Sequence, residues 1–250
     1  MRIGKIPYLN CEPFFAHLPG DGPGVEMAPR ALGRAMRAGL VDAAPLSLVD
    51  LHDLGSEAVA LPFGIAVRGS VRSVLLLSRL PLDALGGATI GVTDETSTSV
   101  ELLRVLLALR LEVEPARWVR GDESADAILL IGDQALRALG SAPERPHRLD
   151  LAEAWTSWTG LPFVFARWGV RAAVPATDRQ QLTADLDTAL RRGLEANALR
   201  AIARRRRDTG LTEMETMAYL SAFTYRLGPD EDKAIAEFRR LRGFVGAARC

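Results

Sequence analysis

Two short runs constrain the fold of this chain most: Ser73 to Ser78, reading Ser-Val-Leu-Leu-Leu-Ser, and Asp126 to Asp133, reading Asp-Ala-Ile-Leu-Leu-Ile-Gly-Asp. Each is apolar across a strand's length instead of alternating, which suits a strand buried on both faces. Such strands need helices to cover them, and helical stretches follow in the expected places. One runs from about Val100 to Leu111, after the strand-like Leu85–Val92 and a hydroxyl-rich loop; another starts at Gln134. The same rhythm begins at the amino end, where Arg2–Ile6 reads as a short strand broken at Pro7 and again at Pro13. Arg30–Ala38 then reads as a helix, Val41–Leu46 as a buried strand, and Ser47 as the start of the next helix. Ala58–Val67 and Phe163–Trp168 are further strands. Alternating strands and helices predict an α/β fold with mainly parallel sheets, whose ligands sit outside the carboxyl ends of the strands.

The last third reads differently. From about Asp178 the pattern is helical, with Leu182, Leu186, Leu190 and Leu194 forming one apolar face. A helical third with few strands fits poorly into one doubly wound sheet. It predicts that the chain returns to cover an earlier lobe, giving two lobes joined by two crossings.

Composition narrows the function. Acidic and basic side chains balance at 31 each, so no overall field favours nucleic acid or an anionic membrane, and neither is expected as a partner. With 250 residues, 48% of them apolar, the chain can bury a core without a metal or disulfide. Cys11 and Cys250 form no spaced framework, which points to a reducing compartment. The first residues lack the pattern of a secretory leader, and no run approaches the roughly 18 apolar residues of a membrane span, so a cytoplasmic location is expected. His17, His52 and His147 are scattered, without HExxH or a cysteine ligand set, so no metal is expected. GxGxxG after the first strand, Walker A and GxSxG motifs are also missing, and no cofactor is predicted.

Four places carry candidate chemistry. Asn10 lies in the Pro7–Pro13 loop, where an asparagine either serves its own turn or presents an amide to a ligand. Thr96, Ser97, Thr98 and Ser99 precede a helix, whose free N–H groups and dipole favour an anion such as a carboxylate. Thr98 with Glu101 also matches a capping box, and cap and anion site can coexist. Ser73 opens a buried strand, and Asp133, between a strand and a helix, reads as an N-cap. Trp155, Trp158, Phe163, Phe165 and Trp168 cluster in a chain that is 6% aromatic, which favours a packed inter-lobe core over ring stacking on a ligand.

Several segments together have a familiar order: Arg2 to Asn10 (Arg-Ile-Gly-Lys-Ile-Pro-Tyr-Leu-Asn), Gly69 to Val74 (Gly-Ser-Val-Arg-Ser-Val), Thr98-Ser99-Val100, Leu130 to Asp133, and Trp158 to Ala166 (Trp-Thr-Gly-Leu-Pro-Phe-Val-Phe-Ala). In this the chain resembles the chorismate dehydratases of the futalosine route to menaquinone. The resemblance implies a two-lobed α/β fold like that of type II periplasmic binding proteins, with a ligand cleft between the lobes. It places residues 1–76 and 171–250 in lobe 1 and 77–170 in lobe 2, with the Ser73–Ser78 strand and the strand ending at Trp168 as crossings.

The implied partner is a small dicarboxylate, chorismate, which loses water to give 3-[(1-carboxyvinyl)oxy]benzoate. Asn10 and Ser73 would be the catalytic groups. Thr98 and Ser99 would hold a carboxylate, with Tyr8, Ser97, Asp133 and Phe163 completing the substrate-binding set. Glu12 departs from the family pattern and reads as a surface carboxylate or a local base. The noncatalytic alternative is a binding protein for a small carboxylate, and the enzymatic one is the related 1,4-dihydroxy-6-naphthoate synthase.

Overall fold

The structure is a computed structural model describing residues 1–20, 24–121 and 124–247; Cys250 lies outside the described residues. In chain order the elements are β1 (Gly4–Lys5), α1 (Glu12–Phe15), β2 (Val25–Glu26), α2 (Pro29–Arg37), β3 (Ala43–Ser47), α3 (Leu48–Leu54) and β4 (Ala58–Val67). There follow β5 (Val74–Ser78), β6 (Thr89–Val92), α4 (Thr98–Leu109), β7 (Arg117–Arg120), β8 (Ala127–Ile131), α5 (Gly132–Ala138), β9 (His147–Asp150) and α6 (Leu151–Thr159). The chain ends with β10 (Phe163–Arg171), α7 (Ala176–Gly193), α8 (Ala196–Arg205), α9 (Glu213–Ser221), β11 (Phe223–Arg226) and α10 (Pro229–Ala247).

The chain forms two compact units, the first from Met1–Ala66 and Val164–Gly228, the second from Val67–Phe163 and the residues from Pro229 on. It passes from one to the other three times: at the end of β4, at the start of β10, and between β11 and α10. The sequence suggested two passages, placed near 76 and 170, and assigned the last helix to the first lobe. In the structure α10 belongs to the second unit, where Phe238 packs 5.1 Å from Phe163 and 6.1 Å from Trp155, and Arg242 reaches Glu101 of α4 at 3.4 Å. An amphipathic helix shows in its sequence that it has a buried face, but not which body covers it.

The first unit holds a four-stranded sheet in the order β11-β4-β10-β3 and a parallel pair β1-β2. Its core is aromatic: Phe14 lies edge-on to Trp168 at 5.6 Å, to Tyr225 at 5.4 Å and to Phe63 at 6.4 Å, joining α1 to three strands. Helix α7 presents Leu182, Leu186 and Leu190 inward, as their spacing of four predicts. At its end Gly193 meets α1 so closely that a Cβ there would lie 2.1 Å from the Pro13 carbonyl oxygen. No other residue lets α1, and the turn before it, seat at this depth.

The second unit is built on a five-stranded sheet in the order β7-β6-β8-β5-β9. Leu75, Leu76 and Leu77 are at most 4% exposed, so β5 is covered on both faces as its composition predicts. The expectation of mainly parallel sheets is corrected. β6 runs parallel to β7 and β8, but β5 is antiparallel to both β8 and β9, and β3 is antiparallel to β10. Apolar composition reports burial of a strand's two faces and carries no information about its neighbours' direction.

Candidate functional site

In the second unit, topology brings distant segments to one end of the sheet. The parallel strands β6 and β8 both finish there; antiparallel β5 begins there, with Val74 opposite Ile131, and β9 ends there, with Asp150 opposite Leu75. The backbone N–H of Gly132 donates to the Ser73 carbonyl at 2.7 Å, which sets Ser73 against the first turn of α5 and Asp133. Ser73, Thr98, Ser99 and Asp133 are all buried, and Ser97 is half-buried. This end of the sheet therefore collects Ser97, Thr98, Ser99 and Asp133, which sequence reading assigned to the second lobe, together with Ser73, which it assigned to the first; one predicted second-lobe residue is set apart.

That residue is Phe163. It is 1% exposed and packed edge-on between Trp155, at 5.3 Å, and Phe238, at 5.1 Å, which places its ring in the core of the unit. The aromatic cluster as a whole is divided: Trp155, Trp158 and Phe163 pack within the second unit, while Trp168 packs on Phe14 and Phe15 in the first.

The helix starts also differ in detail from expectation. α4 takes Ser97 as N-cap, so Glu101 falls one position too late for a capping box with Thr98. Instead the Ser99 N–H donates to Thr96 Oγ1 at 3.1 Å, and Glu101 turns aside to Arg104 at 2.8 Å. Asp133 is likewise not an N-cap: α5 begins at Gly132 with Ile131 before it, and Asp133 lies in the first turn.

Sequence reading missed Asp150. Its Oδ2 accepts from Ser70 Oγ at 2.8 Å, from the Val71 N–H at 2.9 Å and from the Arg72 N–H at 2.7 Å, while Oδ1 caps α6 through Ala152 and Glu153 at 3.1 and 3.2 Å. One carboxylate thereby fixes the turn that delivers Ser73. The turn needs fixing, because Arg72 has φ 61°, a left-handed conformation costing roughly 1 kcal/mol for a residue with a Cβ. An aspartate before a helix announces a cap in sequence. Its partners about eighty positions earlier leave no local signal.

In the first unit, Tyr8 is extended, its carbonyl accepts from the Cys11 N–H at 3.0 Å, and Leu9 and Cys11 are buried beneath the turn. Asn10 is half-buried, and its Oδ1 is buried without a hydrogen-bond partner among the described residues. It is therefore not bonded to its own turn, and a buried acceptor without a partner calls for an explanation such as a ligand, an ion or a water. The Tyr225 hydroxyl is also buried and without a partner among the described residues. Burial, with smaller contributions from Tyr219 and Cys11, pushes its pKa well above that of a free phenol, so it stays protonated.

Glu12 is neither a surface group nor a free base. It is 6% exposed and ion-paired with Lys5 at 3.1 Å, Arg206 at 2.9 Å and Arg205 at 3.6 Å. It ties the turn carrying Asn10 to β1 and to the end of α8. Among the described residues no group of three or more histidine, cysteine or acidic side chains could hold a metal ion, and no helix is long and apolar enough to cross a membrane.

A family model described as menaquinone biosynthesis matches residues 1–242. The chorismate dehydratase of Thermus thermophilus is 32% identical over an aligned length of 267, taking in 96% of this chain and 94% of that protein. Among solved structures, protein AF1704 of Archaeoglobus fulgidus superposes with a TM-score of 0.78 at 18% identity, over 98% of this chain and 97% of that one. The Escherichia coli periplasmic aliphatic sulphonate binding protein SsuA gives a TM-score of 0.64 at 15% identity, covering 100% of this chain and 87% of that one. A Candida albicans protein described as having the generic periplasmic binding protein fold gives 0.66 at 12%, over 98% and 89%. The fold is thus that of the periplasmic binding proteins, and with the family model spanning nearly all its length the chain belongs to the menaquinone biosynthesis family.

Proposed function

We propose that the protein is a chorismate dehydratase, a carbon–oxygen lyase that removes water from chorismate to give 3-[(1-carboxyvinyl)oxy]benzoate, acting in the cytoplasm. The observation that carries this reading is the 32% identity to the Thermus thermophilus chorismate dehydratase along almost the full length of both chains. In the elimination a ring C–H bond and the C–OH bond break, their proton and hydroxide leave together as water, and the ring becomes aromatic. The driving force lies in the substrate. The protein has to orient a dianion and assist departure of hydroxide, a task for positioned neutral donors and not for a strong base.

Asn10 and Ser73 are the groups we assign to the reacting ring, with Thr98, Ser99 and Ser97 at the start of α4 taking a carboxylate, and Tyr8 and Asp133 as further substrate contacts. Neither Asn10 nor Ser73 is a base at neutral pH. We assign the proton to the substrate's own enolpyruvyl carboxylate, with Asn10 and Ser73 fixing geometry and stabilising developing charge. The open acceptor on Asn10 and the turn that fixes Ser73 support these roles.

The test is direct: incubate the protein with chorismate and follow the aromatic product by absorbance and chromatography. Formation of the enol-ether benzoate supports the reading; binding without conversion makes the protein a carboxylate-binding protein and overturns it. An analogue lacking the enolpyruvyl carboxylate should bind without losing water, and its normal turnover would reject the proton route.

A further inference from the structure

We infer that Arg72 is a specificity-determining residue that takes a carboxylate of the substrate. This rests on the reading of the protein as a chorismate dehydratase and names a contact that the family resemblance did not supply.

Arg72 is the residue before Ser73 and has φ 61°, where glycine is free and any side chain is strained. The strain is held by Asp150, whose carboxylate accepts from the Arg72 N–H at 2.7 Å and from the Val71 N–H at 2.9 Å. This hydrogen bonding engages the Arg72 backbone only. The side chain is exposed, and its guanidinium makes no hydrogen bond or ion pair among the described residues. Arg68, before the same turn, is by contrast committed: it bonds the Gly160 carbonyl and pairs with Asp230 at 3.0 Å.

The other polar side chains at the sheet end that Arg72 borders are the neutral hydroxyls of Thr96 to Ser99 and the acidic Asp133. A dianion placed there has neutral donors for one carboxylate and needs a cation for the other. A planar guanidinium matches a carboxylate with two parallel hydrogen bonds. Backbone strain maintained by a buried clamp, on a residue whose charged head is unengaged, is the pattern of a group placed for a ligand.

The position supplies its own control. Arg72→Gly removes the cation and relieves the backbone, so the fold should be as stable as the parent or more so. With chorismate, the Arg72→Gly protein should show KM raised about tenfold or more, kcat within about threefold, and an undiminished melting temperature, with Arg72→Lys falling between. A KM within twofold of the parent would overturn the inference, as would a fall in kcat at unchanged KM, which would mean that the residue acts through Ser73 alone. If the parent converts no chorismate, the dehydratase reading fails. Calorimetric Kd values for chorismate on the parent and on Arg72→Gly then decide the contact: a tenfold weakening sustains it, and equal Kd values, or no binding by the parent, overturn it.

Discussion

Replacing Glu12 by leucine should destabilise the protein by about 2–3 kcal/mol. The carboxylate is buried and neutralises Lys5 and Arg206, which are themselves only 13% and 16% exposed. Removing one partner of a buried ion pair costs about 3–5 kcal/mol, because the remaining charge stays desolvated. Part of that is offset here. Lys5 keeps Glu26 at 3.3 Å and Arg206 keeps Asp208 at 3.1 Å, but both acids are half exposed and therefore weak replacements. The residual of about 2–3 kcal/mol corresponds to a fall in melting temperature of roughly 5–10 °C for a chain of this size. Differential scanning calorimetry on the parent and Glu12→Leu reads this directly, and Glu12→Gln, which keeps one hydrogen-bonding oxygen, should lose less. Because Glu12 anchors the turn carrying Asn10, turnover should fall at a temperature where the variant is still folded. A melting temperature within one degree of the parent, with turnover intact, would show that Glu12 is a bystander and that this ion cluster is solvated.

Replacing Asp150 by alanine should cost about 3 kcal/mol in denaturant unfolding, from a lost helix cap and unsatisfied N–H groups at Val71 and Arg72; a loss below about 1 kcal/mol would refute the clamp. Adding Arg72→Gly to Asp150→Ala should recover part of that loss, since the left-handed position no longer needs holding. Asn10→Leu should leave the melting temperature unchanged or higher, because it removes a buried acceptor without a partner, while kcat falls about a hundredfold; a stability loss with normal turnover would make Asn10 a structural residue. Asp42 gives a pH signature: the Arg2 hydrogen bond, opposed by burial, lowers its pKa to about 2. A depressed carboxyl stabilises the fold above its unfolded pKa of about 4, and the contribution disappears as pH falls from about 4 to 2. Solvent screening around the half-exposed Arg2 limits it to on the order of 1 kcal/mol. The parent should thus lose its advantage over Asp42→Asn across that window, and a difference independent of pH would refute the pairing.

Much of the molecule was legible in one dimension wherever the determinant is local. Buried β5, the leucine face of α7 and the start of α3 at its Ser47 cap follow from periodicity and capping chemistry, which act over a few residues; β8, equally apolar in sequence, instead alternates, with Ile128 and Leu130 only half-buried. The hydroxyls of Thr96 to Ser99 were readable as a helix start for the same reason, although the start lies one residue earlier than the Thr98–Glu101 spacing suggests.

What depended on long-range contact was not legible. The direction of β5 among its neighbours, the assignment of α10 to the second unit, the packing of Phe163 into a core and the burial of Glu12 among three cations depend on segments far apart in the chain. Asp150 and Arg72 show the reason most clearly. By sequence one is a helix cap and the other a surface arginine. Only the antiparallel pairing of β9 with β5 sets the carboxylate beside a turn about eighty residues away, where it can hold a strained backbone that no local preference would select.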